Sequence, residues 1–177
     1  VYPFFRLATT VMKARRRPRL AAGGESRLDL RVLLGDIDVY PELNNGRHLM
    51  LMDLGRVDLA VRTGLWDVLR PRRWALVTAA ASVRYRHRVP LFARLTVHTR
   101  IAGRDQLWFY MHQEIRHAGR LSSSALIRSG LAARGGLVPT AEILAALGDA
   151  SMPEQVPEWV AAWLAADALR PWDDGRG

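Results

Sequence analysis

GRHLMLMDLGRVDLAVRTG, residues 46–64, is the stretch on which the fold turns. It lacks proline, and Met50, Leu54, Val57, Val61 and Leu65 recur at spacings of four, three, four and four, one face of a helix. Leu49, Leu51, Met52 and Leu59 add apolar groups on other faces, so the helix is expected to be enclosed on most sides. Its charges are spaced to pair, Asp53 with Arg56 and Asp58 with Arg62.

Working outward, the helix is preceded by a polar loop, DIDVYPELNN, residues 36–45, and before that by Arg27 to Leu34, where Leu28, Leu30 and Val32 alternate with charged residues. Alternation of period two predicts a half-buried strand. Past a basic connector, residues 70–73, the period changes to two and stays there. Val77, Ala79, Ala81, Val83 and Tyr85 mark one strand, and Leu95, Val97, Thr99 and Ile101 the next. Turns at residues 102–105 and 117–120 lead into strands through Phe109, Met111 and Ile115, then Ser123, Ala125, Ile127 and Leu131. Strand, long helix and four turn-connected strands predict an α+β fold, a curved antiparallel sheet wrapped around the long central helix rather than alternating βα units.

The remainder reads as additions to that domain, which spans residues 25–150. Residues 1–24 form an apolar and basic arm ending in a Gly23-Gly24 linker. It is suited either to packing against its own domain or a partner subunit, or to peripheral contact of residues 1–20 with an anionic membrane. Thr140 to Leu147 predicts a short helix with a threonine cap. Residues 151–177 predict an amphipathic tail helix and a loose end, PWDDGRG.

At 177 residues the chain fits one domain. It has no cysteine, which excludes disulfides, thiolate metal sites and cysteine nucleophiles, and fits a reducing, cytoplasmic setting. No run of about 18 apolar residues occurs, so no bilayer span is expected. A net charge of +9 invites an anionic partner, but Lys13 is the only lysine among 26 basic residues and a nucleic-acid partner would rest on charge alone. None is expected. His48, His87, His98, His112 and His117 lack metal-binding spacing, and no GxSxG, Walker or GxGxxG motif is present. No metal or cofactor is implied.

The chemistry therefore centres on residues 36–45. A carboxylate in a loop before a helix can act as nucleophile or general base once water is excluded. Asn44 and Asn45 stand at the helix start, where free backbone N–H groups carry partial positive charge. On residue types alone, turn formation and capping are the commoner uses of these same residues.

The segment GDIDVYPELNNGRHLMLMDLGR, residues 35–56, resembles the pattern D-x-D-x-x-x-H-x-N-N-x-R-Y, then an acidic residue and an arginine, of the hotdog acyl-CoA thioesterases. Within that family the chain is most similar to the branch called thioesterase superfamily member six. The resemblance extends to YPFFRLA and ARRRPRL near the start, to the stretch from Ser82 to Ile115, and to VPTAEILAALG late in the chain. Glu42 stands where the family has histidine, and His48 where it has tyrosine.

The resemblance implies hydrolysis of acyl-CoA thioesters by a homodimer or homotetramer. Asp38 would be nucleophile or base, the Asn45 backbone N–H the oxyanion donor, and Asp53 the acidic helix position. Asn44, Gly46, Met50 and Leu54 would adjoin the substrate, and Arg84 and Arg86 could meet the phosphates of CoA. The alternative is a non-catalytic acyl-thioester or lipid-binding protein tethered by its basic arm, to which Glu42 and His48 lend weight.

Overall fold

A computed structural model of the chain describes residues 3–171. In chain order its elements are α1 (Phe4–Arg15), β1 (Ser26–Arg31), α2 (Asn45–Arg62), α3 (Leu65–Arg72) and β2 (Ala75–Tyr85). There follow β3 (Arg94–Arg104), β4 (Phe109–His117), β5 (Arg120–Ala133), the short β6 (Gly136–Leu137), α4 (Thr140–Leu147) and α5 (Glu158–Ala168).

The expected long helix is α2, within two residues at each end. Asn44 caps it in extended geometry, its side chain accepting the Gly46 N–H. Gly64, at φ +85°, separates α2 from α3, a left-handed conformation that glycine adopts without steric cost. The basic connector of the sequence reading is the C-terminal end of α3 rather than a loop. Leu51, Met52, Leu54 and Ala60 of α2 are buried in the main core with Val97, Ile115, Ile127 and Leu131 from the sheet.

The sheet order is β1-β3-β4-β5-β2, all antiparallel, with β6 beside β5. Strands β3 to β5 form the expected meander. Strand β2 instead crosses to the far edge and pairs β5, its opposite edge unpaired among the described residues. Alternation sends Leu95, Val97, Thr99 and Ile101 toward α2 and the intervening residues outward. Helix and sheet meet closely at Gly55, since a Cβ there would lie 2.7 Å from Thr99 Oγ1 and 2.8 Å from Val97 Cγ1.

The N-terminal arm docks on its own domain. Ala14, Leu7 and Val11 of α1 pack on Val57 and Val61 of α2. The expected Gly23-Gly24 linker is pinned, because the Ala22 N–H reaches the Asp149 carboxylate at 2.7 Å and the Gly23 N–H reaches Ser151 Oγ at 3.0 Å. Asp58, fully buried, takes Ser26 Oγ at 2.5 Å, Arg17 at 3.3 Å and Arg62 at 3.6 Å, joining arm, strand and helix. One expected cap is different. Pro139 holds the N-cap position of α4, and Thr140 spends its hydroxyl on the Asp105 carbonyl at 2.6 Å. The tail helix is α5; of the expected loose end, Trp172 onward lies outside the described residues, as do Val1 and Tyr2 of the arm. No helix among the described residues is long and apolar enough to cross a membrane.

Candidate active site

The loop before α2 is a narrow hairpin held at several levels. Ile37 bridges Leu43, the Asp38 N–H points to the Glu42 carbonyl at 3.4 Å, and the Asn44 N–H donates to the Asp36 carbonyl at 2.9 Å. Its outer strand leans on the chain before β3, where the Leu43 N–H meets the Val89 carbonyl at 2.8 Å and the Leu91 N–H the Pro41 carbonyl at 2.9 Å.

Within this frame the two aspartates do different things. Asp36 is buried and ion-paired to Arg6 at 2.7 Å, and it accepts the Leu33 N–H at 2.9 Å, so its carboxylate clamps α1 to the loop. Asp38 is half-buried. Its Oδ1 accepts the Tyr40 N–H at 2.9 Å, closing a local turn, while Oδ2 takes no hydrogen bond from the described residues.

The helix start is similarly partitioned. The Gly46 N–H goes to Asn44 Oδ1 at 2.9 Å, and the Arg47 and His48 N–H groups go to the Asn44 carbonyl at 2.9 and 3.3 Å. The Asn45 N–H meets no acceptor among the described residues, and Asn45 is exposed. A helix start leaves such donors pointing outward with partial positive charge. The Asn45 carbonyl accepts the Tyr85 hydroxyl at 2.9 Å, which ties the end of β2 to this turn.

His48 is buried beneath, its Nδ1 2.8 Å from Ser123 Oγ and its ring edge-on to Tyr85 at 5.1 Å. Burial pushes its pKa down to about 4, against the opposing effect of a hydrogen bond to the Leu43 carbonyl. At neutral pH it is an uncharged imidazole linking α2 to β5.

Asp53 lies eight residues past Asn45, about 12 Å along the helix at 1.5 Å per residue. It pairs with Arg56 at 2.9 Å, and Arg56 also donates to Gln113 Oε1 at 2.8 Å. Gln113, fully buried, donates in turn to the Met52 carbonyl and to Thr99 Oγ1, both at 2.8 Å. Asp53 and Arg56 are among the polar residues lining a cavity of about 100 Å³ whose walls include Ala60, Ile101, Phe109 and Met111.

Two side chains expected beside the substrate lie away from both the hairpin and this cavity. Leu54 is fully buried in the core and does not line this cavity, because its position on α2 faces the middle of the sheet. Arg84 stands opposite Ser124 on the face of the sheet turned away from α2, since its neighbours Val83 and Tyr85 take the inward positions of the alternation. Met50 is half-buried with its sulfur 3.0 Å from the Arg47 guanidinium, and Arg86 is exposed just past β2. The Tyr85 and Ser123 contacts had no signal in local spacing, as their partners are 40 and 75 residues away.

Residues 32–164 match the profile of the thioesterase-like superfamily. Among curated proteins, Protein THEM6 of Drosophila melanogaster is 34% identical over 80 residues, covering 45% of this chain and 42% of that protein. Protein THEM6 of Danio rerio is 32% identical over 103 residues, 57% of this chain and 51% of that one. The chain thus spans about half the length of the curated relatives it matches.

Among solved structures, a probable thioesterase from Escherichia coli superimposes with TM-score 0.63 at 20% identity, over 69% of this chain and 96% of that one. A 1,4-dihydroxy-2-naphthoyl-CoA thioesterase from Synechocystis gives 0.62 at 19%, over 73% and 100%. A Staphylococcus aureus protein in complex with CoA gives 0.60 at 13%, over 77% and 91%. At these identities the structures speak for the fold. The family match over most of the length and the curled sheet around α2 together make this chain a member of the thioesterase-like superfamily with the hotdog fold.

Proposed function

We propose that this chain hydrolyses acyl-CoA thioesters to the free acid and CoA, with Asp38 as nucleophile or general base and the Asn45 N–H as oxyanion donor. The observation that carries this reading is that Asp38 Oδ2 and the Asn45 N–H, on the hairpin that leads into α2 and at the helix start it ends on, both lack a partner among the described residues. As base, Asp38 takes a proton from water while the water oxygen attacks the thioester carbonyl. The developing oxyanion is met by the N–H, a donor worth about 3 kcal/mol when preorganised, and the C–S bond then breaks with the thiolate recovering the proton. The Synechocystis and Staphylococcus proteins described above support CoA thioesters as the class of substrate.

Glu42, the loop charge that would oppose an anionic substrate, pairs with Arg88 at 3.2 Å. In this reading Asn44, Gly46 and Met50 near the helix start contact the substrate, Arg86 meets the CoA phosphate, and the acyl group enters the apolar cavity that Asp53 lines. Pairing of two copies along the free edge of β2 fits its single-sided ladder and its exposed small residues Ala79 and Ala81. Exposed Phe4, Phe5 and Met12 on α1, followed by Lys13 and Arg15, suit peripheral contact with an anionic membrane.

Turnover of a panel of acyl-CoAs by the wild type and by Asp38→Asn tests the assignment. Hydrolysis by the wild type that falls at least a hundredfold in the variant is the expected result. Binding of acyl-CoA without turnover by the wild type would establish the non-catalytic carrier instead.

A further inference from the structure

On the face of the sheet turned away from α2, α5 covers only part of the surface. Val160 packs on Tyr110 and Leu126, and beside this contact opens a cleft of about 320 Å³. Its floor is His112, Ser124 and Leu126; Trp159 and Trp163 of α5 wall one side. Arg84 and Arg100 flank it. Arg100 faces His112 across the β3–β4 ladder, and Arg84 faces Ser124 across β2–β5. The row of Arg100 runs through His112 and Leu126 to Ser82, so Arg84 lies three strands away and two residues along, roughly 16 Å at ~4.8 Å per strand and ~3.4 Å per residue, with long side chains able to lean inward from both sides.

Several neighbouring charges on this face are paired. Arg27 and His98 share Glu25 at 2.8 and 2.9 Å, and Arg116 pairs with Glu114 at 2.8 Å. Arg84 and Arg100 have neither a carboxylate partner nor a hydrogen-bond acceptor among the described residues. Burial, and then Arg100, holds His112 below its ordinary range, so at neutral pH the positive charge here belongs to the arginines. His112 Nε2 lies 3.0 Å from Ser124 Oγ, a neutral polar floor. Trp159 stands edge-on to His112 at 5.7 Å and is 49% exposed, an indole left at the rim of the cleft.

Two guanidiniums without a carboxylate partner lining opposite sides of one pocket form an anion site, and indole walls favour a flat apolar body over a bare ion. We propose that this cleft binds a small organic anion carried on a flat ring, the phosphate or carboxylate held between Arg84 and Arg100 and the ring laid against Trp159 and Trp163. The site is independent of the hydrolysis assigned to the loop, because none of its lining residues belongs to the hairpin or to α2.

Tryptophan fluorescence of the full chain, titrated with adenosine 5′-monophosphate, 1-naphthoate or inorganic phosphate at one low salt concentration, tests this. Saturable quenching by at least one ring-bearing anion, about tenfold tighter than by inorganic phosphate, is expected. The tighter of the two identifies the ligand as phosphate-borne or carboxylate-borne. Arg100→Gln should weaken that binding about tenfold with an unchanged melting temperature and unchanged acyl-CoA turnover, and Trp159→Phe should reduce the quench. Absence of saturable quenching by either ring anion, equal affinity for inorganic phosphate, or an Arg100→Gln variant that binds as tightly as wild type would overturn the proposal.

Discussion

The Tyr85 hydroxyl donates to the Asn45 carbonyl at 2.9 Å, so the edge strand β2 holds the first turn of the central helix in place. Burial raises the Tyr85 pKa, which keeps the phenol a donor at neutral pH. A displacement of the Asn45 N–H, the proposed oxyanion donor, by a fraction of an ångström would be costly in rate. Tyr85→Phe is expected to lower kcat for acyl-CoA hydrolysis about tenfold with KM little changed and a melting temperature within a few degrees of wild type. Steady-state kinetics beside thermal melts would check it.

The two acidic candidates are separable by substitution. Asp38→Asn keeps an oxygen for the Tyr40 N–H, so the turn survives while the basic carboxylate is lost, and kcat is expected to fall by ~10² to 10⁴. Asp53→Asn loosens the Arg56 pair in the cavity lining and should act mainly through KM for long acyl groups. Comparable collapse of kcat in Asp53→Asn alone would move the catalytic role to the helix.

His48 makes stability fall with acidity. Its folded pKa of about 4 lies below the ordinary 6.5, so the unfolded chain binds more protons between those values. Its contribution is complete above about pH 6.5 and is lost as pH falls toward 4, on the order of 3 kcal/mol in all. His48→Gln, whose amide does not titrate, should be less stable at pH 7 but show a flatter melting temperature between pH 6.5 and 4.5.

Asp58 is a buried charge with three partners, and removing any one leaves a different deficit. Asp58→Ala leaves Arg62 buried and unpaired and is expected to destabilise by about 3 to 5 kcal/mol in denaturant melts. Arg17→Ala, at the part-exposed side of the cluster, should cost less than half of that.

Gly55→Ala tests the close approach of α2 to the sheet. The new methyl would press on Thr99 Oγ1 and Val97, and Thr99 is bound to Gln113, so the strain reaches the polar network behind Asp53 and Arg56. A loss of about 1 to 3 kcal/mol in stability is expected from such overpacking. A neutral or stabilising effect in thermal melts would show that β3 yields.

Much of this architecture was already legible in residue order. The spacing of Met50, Leu54, Val57 and Val61 marks α2, the alternation around Val97 and Ile127 marks the strands, and the Asp53–Arg56 and Asp58–Arg62 pairs follow from helix geometry. These are local properties, carried by a period of 3.6 or 2 within a dozen residues. What lay beyond them depends on where the chain returns. The crossing of β2 to the far edge, the capture of Asp36 by Arg6, the tie of Tyr85 to Asn45 and the outward face of Arg84 each join distant segments. Residues 36–45 announce two carboxylates of the same type; packing alone spends Asp36 on an ion pair and leaves one oxygen of Asp38 open, because a hydrogen-bond partner is assigned by neighbours in space.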